Sequence, residues 1–117
     1  MQRKTGQIGE LYAVHYLLSM DYMILKQNYY TRYGEIDIIA KKNNKLIFVE
    51  VKTRKSNSFG APDEAFTKIK AFRMKKSIFT FFRLYKIKDW RADVIALSMN
   101  SFDEVEKLRH YKNVSLS

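Results

Sequence analysis

Gly34 to Arg54 reads GEIDIIAKKNNKLIFVEVKTR: two apolar, β-branched runs, from Ile36 to Ala40 and from Leu46 to Val51, on either side of Asn43-Asn44. Such runs around a turn-prone pair predict an antiparallel hairpin closed by a two-residue turn. With that turn, Asp37 faces Glu50 and Glu35 faces Lys52. Strand alternation puts Glu35 and Asp37 on one face and Glu50 and Lys52 on the matching face of the partner strand. Like charges directly opposite on a sheet are destabilising, so the carboxylate pair asks for a cation. A hard divalent ion, Mg²⁺ or Mn²⁺, held by carboxylates, waters and substrate phosphates is the simplest answer. The plainer alternative is a solvated outer face with a Glu35/Lys52 ion pair.

The rest of the composition narrows the class. At 117 residues, 46% hydrophobic and 15% aromatic, the chain is expected to form one domain over residues 1–117 with a real core. The absence of Cys excludes disulfides, thiol nucleophiles and Cys-ligated zinc. No apolar leader follows Met1, and no apolar run is long enough to span a bilayer, so a cytoplasmic protein without a membrane role is expected. Lys and Arg number 22 against 12 Asp and Glu, a formal net charge of +10, which favours a polyanionic partner such as nucleic acid.

Around the hairpin, apolar residues at Ile8, Leu11, Tyr12, Val14, Leu18 and Tyr22 predict an amphipathic helix from about Arg3 to Met20, with Thr5 as a possible N-cap. Glu10 falls at the edge of that face and is placed to lean toward the sheet. His15 falls near its middle, as a packed imidazole. Residues 23–30 read as a first strand, completing a three-stranded antiparallel meander. The segment from Thr53 to Pro62 reads as a basic, glycine-containing loop able to hold a phosphate backbone. A second helix is expected from Pro62 to about Leu84, with Asp63 and Glu64 complementing its N-terminus. Its main apolar stripe is Phe66, Met74, Ile78, Phe81 and Tyr85, interrupted by Lys70. A second apolar set, Ala65, Ile69, Phe72 and Phe79, suggests weak self-association or a protein partner. Residues 90–97 read as a buried strand carrying Arg91 and Asp93 on one face, parallel to a meander strand because a helical crossover precedes it. Asp103 to Tyr111 is a final edge strand or short helix.

The motifs Gly6-x-x-Gly9-Glu10, Ile24-Leu25-x-x-Asn28, GEIDIIA (34–40), FVEVKTR (48–54), Gly60-Ala61-Pro62, Lys70 and Arg91-Ala92-Asp93-Val94 run in order through most of the chain. Together they resemble the YraN-type family of small endonuclease-like bacterial proteins, within the PD-(D/E)XK superfamily. The resemblance implies an α/β, restriction-endonuclease-like fold: helix, three-stranded antiparallel meander, crossover helix and a further strand around a central mixed sheet. It implies a Mg²⁺- or Mn²⁺-dependent nuclease cleaving branched or single-stranded DNA. Asp37, Glu50 and Lys52 would be catalytic. Asp37 and Glu50, with Glu10 and the Val51 carbonyl, would hold the metal, and Glu35 and Lys70 would support the site. Arg54, Lys55, Lys68 and Arg73 are the expected nucleic-acid contacts. The competing class is a catalytically silent nucleic-acid-binding module or partner subunit on the same fold.

Overall fold

The computed structural model describes residues 2–55, 66–86 and 89–117. The hairpin turn forms where the asparagines require it: Asn43 and Asn44 both take left-handed backbone, φ 52° and 63°, as a type I′ turn demands. From it extend β2 (Gly34–Lys42) and β3 (Lys45–Lys55), paired antiparallel from Lys42–Lys45 to Ile38–Val49. β1 (Met23–Thr31) lies antiparallel on the far side of β2.

β4 (Trp90–Met99) lies parallel to β3 over its whole length, from Leu46–Trp90 to Lys55–Met99. This is the expected result of a helical crossover. β5 (Val105–Tyr111) closes the order β1-β2-β3-β4-β5 as an antiparallel edge strand, which settles the two readings of that segment. Together with helices α1 (Gln2–Ser19) and α2 (Lys68–Leu84), the five-stranded mixed sheet has the restriction-endonuclease-like arrangement.

The helices cover the sheet on two separate cores. Ala13, Val14 and Leu17 of α1 pack on Ile38, Ala40, Ile47, Val49, Ile95 and Leu97. Met74, Ile78 and Phe81 of α2 pack on Ile36, Ile39, Phe48 and Ala92. Phe48, with no exposed surface, meets Phe81, Phe82 and Trp90 edge to face. A fully buried side chain of this size contributes about 2 to 3 kcal/mol.

Several expectations are corrected. The buried face of α1 is Ala13, Val14 and Leu17, whereas Leu11, Tyr12 and Leu18 are exposed, as is His15. Small residues decide this face. A Cβ on Gly9 would come within 2.0 Å of Thr53 Oγ1, so only glycine lets α1 approach β3 that closely. Thr5 lies inside the helix rather than capping it. β3 continues through Thr53, Arg54 and Lys55, which are therefore strand rather than loop. α2 begins at Lys68, where Thr67 takes extended backbone and accepts from the Lys70 amide at 3.3 Å. The capping expected of Pro62, Asp63 and Glu64, the remainder of the basic loop, and Ala65 lie outside the described residues. Of the main stripe on α2, Tyr85 is exposed, and Ala71 and Ser77 are buried in addition to Met74, Ile78 and Phe81.

Candidate functional site

The recorded pairing of β2 with β3 ends at Ile38–Val49, so Asp37 and Glu50 are the first residues past a fork. Beyond it β2 stays with β1, Glu35 pairing with Tyr30, while β3 stays with β4. Asp37 reaches across the opening, and its Oδ2 accepts from the Val51 amide at 2.7 Å. A side chain thus replaces a rung of the ladder. Ile36 belongs to the α2 core and Ile38 to the α1 core, so strict strand alternation does not hold across Asp37.

The close approach of α1 at Gly9 carries the next residue, Glu10, into this opening. Carboxylate oxygens of Glu10, Glu35 and Asp37 all lie within 4.8 Å of one another. Asn28 joins two of them: its Nδ2 donates to Glu10 Oε1 at 2.8 Å and to Glu35 Oε2 at 3.0 Å. Asn28 can do so because its backbone is left-handed, φ 52°, a conformation asparagine tolerates better than most residues. Glu50 turns to Lys52, Oε2 to Nζ 2.9 Å, in a pair that is largely buried.

The electrostatics follow from burial. Desolvation and then the nearby Glu50 push the Asp37 carboxyl up to about 9, against the pull of the Val51 amide. Burial also raises Glu10, with the Asn28 hydrogen bond opposing and Glu35 and Glu50 adding to the rise. For Lys52, burial works against the ammonium, but Glu50, the adjoining Lys70 and Asp37 together outweigh it and the pKa is raised. Lys70 on α2 behaves oppositely. The adjoining Lys52 side chain, and then burial, lower it to about 8.

Two clefts open beside the fork, and Lys70 lines both. One, of about 310 Å³, is bounded by Gly6, Glu10, Val51, Lys52, Thr53 and Arg54. The other, of about 180 Å³, includes Tyr33, Glu35, Glu50, Arg73 and Ser77. Among the predicted nucleic-acid contacts, Arg54 and Arg73 therefore flank the acids. Lys55 is ion-paired with Asp103, and Lys68 lies on a different face of α2.

The fold brings Glu10, Glu35, Asp37, Glu50, Lys52 and Lys70 to the fork and its clefts, but the carboxylate trio holds Glu35, expected only to support the site, in place of Glu50, expected as a ligand. Asn28 belongs to the Ile24-Leu25-x-x-Asn28 motif but carries no expected role; its signal in the sequence is an asparagine in the middle of a strand, where β-propensity disfavours it.

A family model described as "Uncharacterised protein family UPF0102" matches residues 9–97. The chain belongs to this family. A UPF0102 protein from Caldicellulosiruptor saccharolyticus is 42% identical over 114 residues, covering 96% of this chain and 97% of the relative. One from Alkaliphilus oremlandii is 40% identical over 115 residues, covering 97% and 98%. A third, from Clostridium botulinum, is 39% identical over 118 residues, covering 95% and 93%. The UPF0102 match spans Gly9, the fork residues, Lys70 and Asp93. No helix of the described residues is long and apolar enough to cross a membrane.

Proposed function

We propose that this UPF0102 protein is a metal-dependent nuclease that hydrolyses phosphodiester bonds of branched or single-stranded DNA. The observation carrying the proposal is the gathering of Glu10, Glu35 and Asp37 oxygens within 4.8 Å at a strand fork, beside the Glu50–Lys52 pair. The donor set fits a hard divalent cation. Glu10, Glu35 and Asp37 would hold the ion through carboxylate oxygens, the donor type that Mg²⁺ takes. When bound, Mg²⁺ or Mn²⁺ supplies charge neutralisation at the phosphoryl oxygens and lowers the pKa of water.

The chain's own groups complete the reading. Asp37 and Glu10 sit where burial makes an uncompensated charge costly, so a cation is the natural counterpart of their ionised forms. Glu50 orients Lys52 as an ammonium, suited to stabilising charge on the phosphoryl group. Lys70, lowered to about 8, is the group better suited to accept a proton from the attacking water near neutral pH. Arg54 and Arg73, one in each cleft, would meet the phosphate backbone beside the acids.

The deciding experiment incubates labelled single-stranded, duplex, flap and four-way-junction DNAs with wild type and with identically prepared Glu50→Ala and Lys52→Ala proteins, in Mg²⁺, Mn²⁺ and EDTA. Cleavage is expected with metal only, falling at least a hundredfold in both variants, roughly the weight of one preorganised electrostatic group. Equal cleavage by all three proteins overturns the assignment.

The net charge of +10 favours a second reading, a binding module without hydrolysis. Salt-sensitive DNA binding with no cleavage under any condition selects it.

Asn28 provides a separate check on the metal site. Partners one step removed from a metal commonly govern affinity by 10- to 100-fold. Asn28→Ala is therefore expected to weaken Mg²⁺ or Mn²⁺ binding by about that factor in calorimetric titration, with the fold retained by circular dichroism. Unchanged affinity would show that Glu10 and Glu35 do not act together on the ion.

A further inference from the structure

The outward face of α2 is built unlike the face that meets the sheet. Ile69, Phe72 and Phe79 are 64%, 57% and 42% exposed, with Lys68, Lys75 and Lys76 interleaved among them. A groove of about 440 Å³ runs along this face, lined by Lys68, Phe72, Lys75, Lys76 and Phe79 and bounded by Leu116 and Ser117. Lys76 Nζ stands 5.4 Å from the Phe72 ring centre, and Lys75 Nζ stands 6.0 Å from that of Phe79. The described side chains lining the groove include no acid.

We propose that this groove is a second site, apart from the acidic fork, that binds single-stranded DNA by stacking bases on Phe72 and Phe79 while Lys68, Lys75 and Lys76 neutralise its phosphates. Exposed apolar patches rimmed by charge mark interaction surfaces, and the charge here selects the occupant. A protein covering this face would have to bury three ammonium groups and supply a carboxylate for each. A single strand brings aromatic faces and regularly spaced anions together, which is the pairing that stacking platforms in basic grooves exploit.

Phe72 and Phe79 stand two turns apart on α2, a backbone rise of about 10 Å along its axis, so each can seat its own base. Lysines hold favourable positions over both rings in the free protein. An arriving base displaces the ammonium from the ring and finds it close to the adjoining phosphate, so the lysine exchanges one partner for another. Lys70 and Arg73 of the same helix line the clefts of the fork instead, so α2 serves both regions through different flanks. The choice of DNA rests on the proposed nuclease reading, whereas the stacking geometry stands without it.

Fluorescence anisotropy of a labelled oligothymidylate across a salt series tests the groove. Phe72→Ala and Phe79→Ala are each expected to weaken binding about tenfold, with the slope of affinity against salt unchanged because no charge is lost. Phe72→Trp should restore affinity, and Lys75→Ala with Lys76→Ala should flatten the salt slope. Wild-type affinity in both alanine variants overturns the proposal. So does tighter binding of oligouridylate, or a light-scattering dimer that Phe72→Ala dissolves while DNA binding stays the same. The two proposals fail separately: absent cleavage with ring-dependent binding removes the nuclease alone, and cleavage with ring-independent binding removes the groove alone.

Discussion

In metal-free buffer at neutral pH, Asp37→Asn is expected to melt roughly 5 to 10 °C above the wild type. The folded protein holds the Asp37 carboxyl up to about 9 against an ordinary value of 3.8. Between those values the unfolded chain releases its proton and the folded chain keeps it, so this group's contribution to stability falls as pH rises. Below the ordinary value both states are protonated and the cost disappears. The advantage of Asn should therefore be small in acid, grow through neutrality and level off once the pH passes the folded pKa. A gain of about 2 kcal/mol is expected at neutral pH, allowing for relaxation around the group. The amide keeps an acceptor for the Val51 N–H, which now meets Asp37 Oδ2 at 2.7 Å.

Added Mg²⁺ should reverse the order. A ligand bound only by the folded state stabilises it by about 2.7 kcal/mol at a hundred times its Kd, and this gain should go to the wild type and not to Asn. Scanning calorimetry over a pH series, with and without the ion, reads both effects. A wild type that melts above Asp37→Asn in EDTA at neutral pH contradicts the electrostatic account of the fork. The expected exchange of stability for function is common where carboxylates crowd a site.

A second large effect is expected on the α1 side of the sheet, away from the fork. Asp93 is fully buried, and all its acceptor capacity is used. Oδ1 accepts from Arg91 Nε at 2.9 Å and from the Asn113 amide at 2.9 Å. Oδ2 lies 2.7 Å from His110 Nε2 and accepts from Arg91 at 3.2 Å. His110 continues through Nδ1 to the Tyr16 hydroxyl, 2.8 Å away, and Arg91 donates to the Tyr22 hydroxyl at 2.9 Å. Burial alone would raise the Asp93 carboxyl, but His110, Arg91 and the Asn113 amide together lower it. Removing one partner of a buried charge pair costs about 3 to 5 kcal/mol, a large part of the 5 to 15 kcal/mol that holds a typical domain together. Asp93→Ala is therefore expected to lower the urea midpoint sharply or prevent folding. Asp93→Asn, which keeps the shape and some of the acceptors, should fall between. Equal midpoints for Asp93→Ala and wild type would show that the network is not what fastens β5 and α1 to β4.

The contrast between these two acids also marks what the sequence made readable. The Asn43-Asn44 turn fixed the hairpin register as expected from Lys42–Lys45 to Ile38–Val49. The crossover correctly implied that β4 runs parallel to a meander strand. Short-range chemistry, a turn and its flanking periodicity, sufficed for both. The fork was not readable, because it arises when Asp37 takes a backbone partner with its side chain, and alternation counts presume an unbroken ladder.

The α1 face was misjudged for a related reason. Hydrophobic periodicity weights large residues such as Leu11 and Leu18, whereas close packing on β3 selects Gly9 and Ala13. The bonds of His110 to Asp93 and Tyr16 join residues far apart in the chain, and no local pattern announces them. Arg91 and Asp93 were legible as neighbours on one strand face, but not the hub they form.

The parallel joint between β3 and β4 also governs how the sheet can be assembled. β1, β2 and β3 are sequential neighbours, and so are β4 and β5, so each group closes over short loops. The joint between the groups closes only after the chain has travelled through α2, and the entropy of that long loop falls on one ladder. Until it forms, the strand bearing Glu50 and Lys52 is a bare edge with open amides and carbonyls, a template on which another chain can pair. The ladder that holds β3 beyond the fork is thus also the one whose delay exposes the nascent chain to aggregation.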